Sequence, residues 1–199
     1  FANCGLPYYI GGDITDKDDL TLQTPDSFSK RFKIDVRIQN EVVSINRKNK
    51  TVKVKNLQTG EIYTENYDKL ILSPGAEPIL PNIDGADSER VFTLRNIPDT
   101  YRIKDYIAEN RPKKAVVVGG GYIGLEMAEN LHKLGIDVTI VEGTDHVVAA
   151  LDREMAADVH NYLRKRGIQL IFNKFVTAIK EDDKGLILTL GEEKIEADM

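Results

Sequence analysis

Three glycines, Gly119, Gly121 and Gly124, fall at G-x-G-x-x-G spacing within Val116-Val-Val-Gly-Gly-Gly-Tyr-Ile-Gly-Leu-Glu126. At a turn from strand into helix, this spacing suits a pyrophosphate. The first glycine permits the tight turn, the second lets the backbone approach the phosphates, and the third lets helix and strand pack closely. The free N–H groups and the dipole of the helix N-terminus then face the anion. Gly120, Tyr122 and Ile123 complete the turn and join the three glycines as cofactor-binding candidates. Glu142 lies roughly 20 positions further on, where a carboxylate accepts hydrogen bonds from a ribose diol and repels a 2′-phosphate. The residues after it, Gly143-Thr-Asp-His146, hold no arginine to pair with such a phosphate. The pattern therefore favours NADH over NADPH, although a charged His146 would act the other way. The second chemical candidate is Cys4, the single cysteine. Read alone, it fits two descriptions: a small buried hydrophobe, or a thiol near a helix start that gains thiolate character from the dipole and the free N–H groups.

The elements needed to position these residues can be read from periodicity. Ala115 to Val118 has the β-branched run of a buried parallel strand. Leu125, Ala128 and Leu131 recur at helical spacing, and Gly135 stands where a C-cap glycine belongs. Asp137 to Val141 reads as a second strand, ending at Glu142. Asp152 to Lys165 reads as an amphipathic helix closed by Gly167, and Gln169 to Phe172 as a third parallel strand. Short strands at 176–180, 186–190 and 194–196 suggest a meander. Upstream, Phe1 to Gly12 suggests one short helix opening near Asn3 or Cys4, and Thr24-Pro-Asp26 a helix start with Phe28 and Phe32 on one face. Between Ile34 and Leu72 the period is two. Val36 and Ile38 open one strand, 41–45, 50–55 and 60–64 follow as an antiparallel meander with one wet face, and Tyr67 to Leu72 is a buried strand. Prolines 74, 78 and 81 then punctuate a connector, and Pro98 to Asn110 is helical.

The composition is that of a soluble globular protein, with no low-complexity tract. A formal net charge of −5 argues against nucleic acid as a partner. No apolar run approaches a membrane span and no signal-peptide pattern is present. A single cysteine forbids an internal disulfide, which fits a reducing cytoplasm. His132, His146 and His160 lack metal-ligand spacing with one another or with Cys4, so no metal site is expected.

Four segments occur together and in order: Phe1-Ala-Asn-Cys-Gly-Leu-Pro-Tyr-Tyr-Ile10, Tyr67-Asp-Lys-Leu-Ile-Leu-Ser-Pro-Gly-Ala76, Phe92-Thr-Leu-Arg-Asn96 and the glycine turn. In this the chain resembles the flavin-dependent pyridine nucleotide-disulfide oxidoreductases, and among them coenzyme A-disulfide reductases with their relatives NADH oxidase and NADH peroxidase. The resemblance implies an α/β fold: a Rossmann-like βαβ nicotinamide-binding domain with a β-meander at 94–199, preceded at 1–93 by an incomplete flavin-binding domain. The family's N-terminal flavin-binding glycine turn and its later Gly-Asp strand have no counterpart here. The chain is thus expected to be an internal fragment that binds NAD(H) and no stoichiometric FAD, with FAD belonging to the complete parent. Residues 1 to about 90 are then expected to be less stable than the nicotinamide domain.

The resemblance makes Cys4 the catalytic redox cysteine, which attacks a small-molecule disulfide and is regenerated through the flavin. Coenzyme A is the partner thiol on this reading. With an oxidant as acceptor, Cys4 would cycle through a sulfenic acid instead, and an NAD-binding module without catalysis is the remaining alternative. Ser73, Pro74 and Gly75 match the family's link between flavin and nicotinamide domains. Tyr122 matches a ring that covers the flavin, or else is a core tyrosine. Glu126 faces the nicotinamide side of the cleft or is a solvated helix residue. Asn3 lies near the bound thiol or caps the helix. Lys30, Arg31 and Lys33 would meet coenzyme A phosphates or form a solvated helix end. The parent is expected to be a cytoplasmic homodimer.

Overall fold

The computed structural model describes residues 1–199. At the N-terminus, Asn3–Gly5 winds as a 3-10 turn and runs into α1 (Leu6–Ile10), with Pro7 in the first turn where its missing N–H costs nothing. Leu6 and Ile10, four residues apart, present one buried apolar face.

Residues 21–76 form one compact unit. Thr24 opens α2 (Pro25–Phe32) through a reciprocal pair: its hydroxyl accepts from the Ser27 N–H, and the Ser27 hydroxyl accepts from the Thr24 N–H. Phe28 and Phe32 share a face, with ring centroids 4.6 Å apart. Three strands, β1 (Asn40–Asn46), β2 (Thr51–Asn56) and β3 (Ile62–Asn66), make the antiparallel meander in that order. Val52 and Val54 are buried while Lys53 and Lys55 are exposed, as a sheet with one wet face requires. Two expectations fail here. Val36 and Ile38 open no strand; residues 33–39 are irregular between left-handed Lys33 and Gln39. Tyr67–Leu72 is not a strand either, and Leu70, Ile71 and Leu72 are exposed. A strand buried on both faces needs hydrogen-bonded neighbours, and none of the three sheets includes this run.

Residues 1–20 and 77–199 form the other compact unit. It contains α3 (Ile97–Asn110), β4 (Lys114–Val118), α4 (Tyr122–Lys133), β5 (Asp137–Glu142), α5 (Arg153–Lys165) and β6 (Gln169–Phe172), then β7 (Ala178–Asp182), β8 (Gly185–Leu190) and β9 (Glu193–Ala197). Strands β4, β5 and β6 pair in parallel in that order, and β7, β8 and β9 form an antiparallel meander. Successive side chains of a strand point to opposite faces, and β4 uses both. Ala115 and Val117 join a core with Met127, Ala128, Leu131 and Leu163 of the helices, while Val116 packs with Leu186, Leu188 and Ala197 of the meander. The parallel sheet is thus covered by helices on one face and by the meander on the other. Beyond β9 the chain returns to the free side of β4: the Asp198 N–H donates to Lys114 O (2.9 Å) and the Val116 N–H to Met199 O (3.0 Å).

The N-terminal segment packs with this unit. Ile10 shares the helical core with Ile103 and Met127, a burial worth roughly 2 kcal/mol. Gly11 lies against the buried Asn130 side chain so closely that no Cβ fits. Lys104 Nζ donates to Tyr9 O at 2.7 Å and sits 3.8 Å from the Tyr9 ring centroid, and Lys133 pairs with Asp13. No helix is long and apolar enough to cross a membrane.

Candidate functional site

The glycine turn joins β4 to α4, and its glycines do different things. Gly119 has φ +104°, open to glycine but strained for other residues, and its N–H donates to Val141 O at 2.8 Å, tying the turn to the end of β5. Gly124 is required by packing: a Cβ there would collide with the Gly119 carbonyl oxygen and lie 3.4 Å from Val117 Cγ1. Gly121 is required by neither. Its backbone is extended (φ −75°, ψ −178°), and a Cβ would meet nothing within 4 Å. It is the N-cap of α4 and supplies no side-chain cap, so the first-turn N–H groups have no intrahelical acceptor, and the space beside the Gly121 Cα is open. That arrangement fits an approaching pyrophosphate. Tyr122 and Ile123, 65% and 58% exposed, stand beside it, as does exposed Val118.

The chain brings Glu142 to this turn. Oε2 accepts from the Gly120 N–H at 2.7 Å, and Oε1 accepts from the Thr144 N–H at 2.8 Å. Burial alone would raise the carboxyl's pKa, but the bonds from Gly120 and Thr144 outweigh it and hold the group below the usual carboxylate range. Glu142 is therefore an anion at neutral pH. The Thr144 hydroxyl lies 2.9 Å from both Glu142 Oε1 and His146 O. It has one proton, so turning it toward His146 O frees a lone pair on Glu142 for a ribose hydroxyl. The Gly120 and Thr144 contacts were not foreseen; the signal for the second was a threonine two residues past the carboxylate.

Cys4 lies in the 3-10 turn with its thiol free and exposed. Asn3 does not cap the helix, since the turn has no side-chain cap; instead Asn3 Oδ1 accepts from Arg95 Nη1 at 3.3 Å. Tyr8 follows Cys4 by four residues and lies among carboxylates. The charge of Glu126 first, then burial, Glu129 and Asp13, hold its phenol above the ordinary range, and Cys4 adds in the same direction. Glu126 is half-buried, and its charge acts on Tyr8 of α1. Ser73, Pro74 and Gly75 lie in the other compact unit, in an exposed irregular stretch with Gly75 at φ +78°. Lys30, Arg31 and Lys33 are exposed around the end of α2.

No group of three His, Cys, Asp or Glu side chains is close enough to hold a metal ion. Of the surface concavities, one is lined by Ser44, Asn46, Thr51 and Lys53 and another by Lys113, Asp182, Ile187 and Asp198. Neither touches the glycine turn.

The whole chain, residues 1–199, matches the family model described as pyridine nucleotide-disulphide oxidoreductase. Coenzyme A disulfide reductase of Staphylococcus haemolyticus (strain JCSC1435) is 43% identical over 181 residues, which are 91% of this chain and 40% of that relative. The crystal structure of reduced Bacillus anthracis CoADR-RHD superimposes with a TM-score of 0.92 at 50% identity, covering 100% of this chain and 36% of that one. The water-forming NADH oxidase from Lactobacillus brevis bound to NADH superimposes with a TM-score of 0.90 at 30% identity, covering 100% of this chain and 44% of that one. The chain thus spans about two fifths of the length of the relatives it matches.

Proposed function

The chain belongs to the pyridine nucleotide-disulphide oxidoreductase family, and we propose that it is the NADH-binding part, with the redox-cysteine segment, of a flavoprotein that reduces coenzyme A disulfide or a related persulfide. On this reading residues 94–199 bind NAD(H) and residues 1–93 belong to the flavin-binding half. The observation that carries it is the packing of α1 against α3 and α4. The segment bearing the lone cysteine is locked onto the helix that begins at the pyrophosphate turn.

Each residue has a role under this proposal. First-turn N–H groups of α4 hold the pyrophosphate, Gly121 leaves room for it, and Glu142 accepts from the ribose diol and disfavours a 2′-phosphate. Tyr122, Ile123 and Glu126 line the nicotinamide side. FAD in the parent supplies the two-electron relay between nicotinamide and thiol, with Ser73, Pro74 and Gly75 in the link between the two halves. The Cys4 thiolate attacks one sulfur of the disulfide, releasing one thiol and leaving the other as a mixed disulfide on Cys4. Two electrons then release the second thiol, so that RSSR + NADH + H⁺ gives 2 RSH + NAD⁺. Asn3, held by Arg95, lies beside the bound thiol. The parent would be a cytoplasmic homodimer.

The test is disulfide-reductase turnover of the complete parent carrying Cys4→Ser. Loss of turnover with NADH binding and flavin content intact supports the proposal. Retention of more than about a tenth of the wild-type rate, a loss under about 1.4 kcal/mol in transition-state stabilisation, refutes the role of Cys4. A second reading rests on the likeness to the NADH oxidase: Cys4 would cycle through a sulfenic acid, with oxygen or peroxide as acceptor. Mass spectrometry of Cys4 separates the two, since one predicts a coenzyme A mixed disulfide and the other an added oxygen. An NAD-binding module without catalysis would show neither.

A further inference from the structure

After β5 the chain makes an excursion over residues 143–152 and comes back onto the glycine turn. The Val148 N–H donates to Gly120 O at 2.8 Å. Val147 is fully buried, and its Cγ1 stands 2.7 Å from where a Gly120 Cβ would be. The same Gly120 donates its N–H to Glu142. Both backbone polar groups of Gly120 are therefore set by neighbours: the carbonyl by this strap and the N–H by the ribose-facing carboxylate. The strap does not hold its shape by local preference. Val148 has φ +52°, a left-handed backbone that a β-branched residue resists, so other contacts must impose it.

One of those contacts is unusual. The buried Val147 N–H donates to Nε2 of His160, on α5, at 3.2 Å. A ring nitrogen accepts only when it carries no proton, so this contact exists only with a neutral imidazole protonated at Nδ1. His160 is 8% exposed, and its ring lies 4.7 Å, centroid to centroid, from Phe172 of β6. We propose that His160 is a positioning residue for the nucleotide site: its unprotonated Nε2 anchors Val147, and through the strap fixes Gly120 and with it Glu142. The inference rests on the NADH reading above.

The charges around the ring agree with the geometry. Burial first, then Arg164 on the same helix and His146 on the strap, push the His160 pKa below the ordinary imidazole value of 6.5; Asp145 on the strap opposes them. His160 is then neutral at pH 7, and the anchor holds. As the pH falls through this lowered pKa, protonation at Nε2 sets N–H against N–H and releases Val147. His146 titrates in the opposite sense. Its Nδ1 faces Asp145 Oδ1 (2.6 Å) and its Nε2 faces Leu151 O (3.2 Å), two acceptors that both want a donor. Asp145 accordingly raises its pKa, and Arg153 holds Asp145 from the other side at 3.2 Å. The two histidines therefore act in separable pH ranges.

The test uses the 199-residue chain as wild type, His160→Leu, His160→Gln and His146→Gln. Amide exchange read by NMR needs no nucleotide. Val147 and Val148 protection should fall at least tenfold in His160→Leu relative to amides of β5, and persist in His160→Gln, whose amide oxygen can accept the Val147 N–H. The Kd for NADH at pH 7.5 should rise about tenfold in His160→Leu, equivalent to about 1.4 kcal/mol, and much less in His160→Gln. Wild-type affinity should weaken as the pH falls through the lowered His160 pKa, His146→Gln should keep that fall, and His160→Gln should lose it. Unchanged strap protection in a folded His160→Leu, or the same low-pH fall in His160→Gln, overturns the proposal. If His160→Leu does not fold, the pH profile of His160→Gln decides. Wild type that binds no NADH refutes the nucleotide reading instead, and the exchange arm still judges the anchor.

Discussion

Two glycines of one motif should respond in opposite ways to the same added methyl. In Gly124→Ala the new Cβ meets the carbonyl oxygen of Gly119 and stands 3.2 Å from its carbonyl carbon. The obstacle is backbone, in a turn already pinned by the bond from Gly119 N to Val141 O, so α4 itself must shift. Overpacking of this kind costs about 1–3 kcal/mol, and a backbone obstacle places it toward the upper end. Replacing glycine by alanine in a helix returns at most about 1 kcal/mol. The net loss is about 1–2 kcal/mol, or about 2–8 °C in Tm for a chain of this size. In Gly121→Ala the Cβ meets nothing and the backbone angles suit any residue. Only the modest N-cap difference remains, under about 1 kcal/mol, but the methyl stands over the N–H groups proposed to hold the pyrophosphate. Its NADH affinity should fall more than about tenfold, or 1.4 kcal/mol, with the melt nearly unmoved. Thermal denaturation followed by circular dichroism, paired with NADH titration, reads both. If Gly121→Ala binds NADH like wild type, the turn is not a pyrophosphate cradle. If Gly124→Ala melts like wild type, the packing argument fails.

Other outcomes follow from the same geometry. Wild type should bind NADH more tightly than NADPH, and Glu142→Ala should narrow the gap while costing about 1–3 kcal/mol for the Gly120 N–H left unpaired; equal wild-type affinities in parallel titrations would remove Glu142 from the ribose. The held-down carboxyl of Glu142 gives stability that is present above the ordinary carboxylate range and lost as pH falls through its folded value. His146 gives the reverse: its contribution is whole below about pH 6.5 and fades as pH rises through its raised folded value. Urea midpoints of wild type and His146→Gln should therefore converge as the pH rises through that raised value, and a difference that persists in alkaline solution counts against the imidazolium. Hydrogen exchange should find the Gly11 amide, bonded to Pro7 O, protected to a degree comparable with α4, while 68–73 exchanges freely; fast exchange at Gly11 would mean α1 is not docked.

Residues 1 to about 90 read as an incomplete domain, less stable than the nicotinamide domain, and in the fold Phe1–Leu20 packs in one compact unit with residues 77–199. The cause is invisible to periodicity. Gly11 admits the Asn130 side chain, and Lys104 reaches Tyr9, across more than 90 residues in each case. Local patterns were read well because their physics is local. Alternation along β2, the β-branched run of β4, the Thr24 helix start and the strand-turn-helix at Gly119 each need only a few neighbours. Tyr67–Leu72 failed for the complementary reason. Its apolar run reports what the residues would prefer to do, whereas a strand exists only where another strand offers hydrogen bonds.

The same division runs through the candidate site. Its outline, three glycines and an acidic residue, was legible, but not what holds each in place. Glu142 is aimed by the N–H of Gly120, the one glycine of the turn to which the motif assigns no task. Gly120 is in turn gripped by a strap whose anchor is a histidine on the next helix. Spacing identifies residues that would touch a ligand, because the ligand's dimensions set that spacing. Residues that hold those in place answer only to the folded neighbourhood, and no regular interval in the chain announces them. Gly121 is the converse case. Packing and backbone angle do not require a glycine there, and the N-cap position favours one only modestly, so the open space above it is what the proposed pyrophosphate would use.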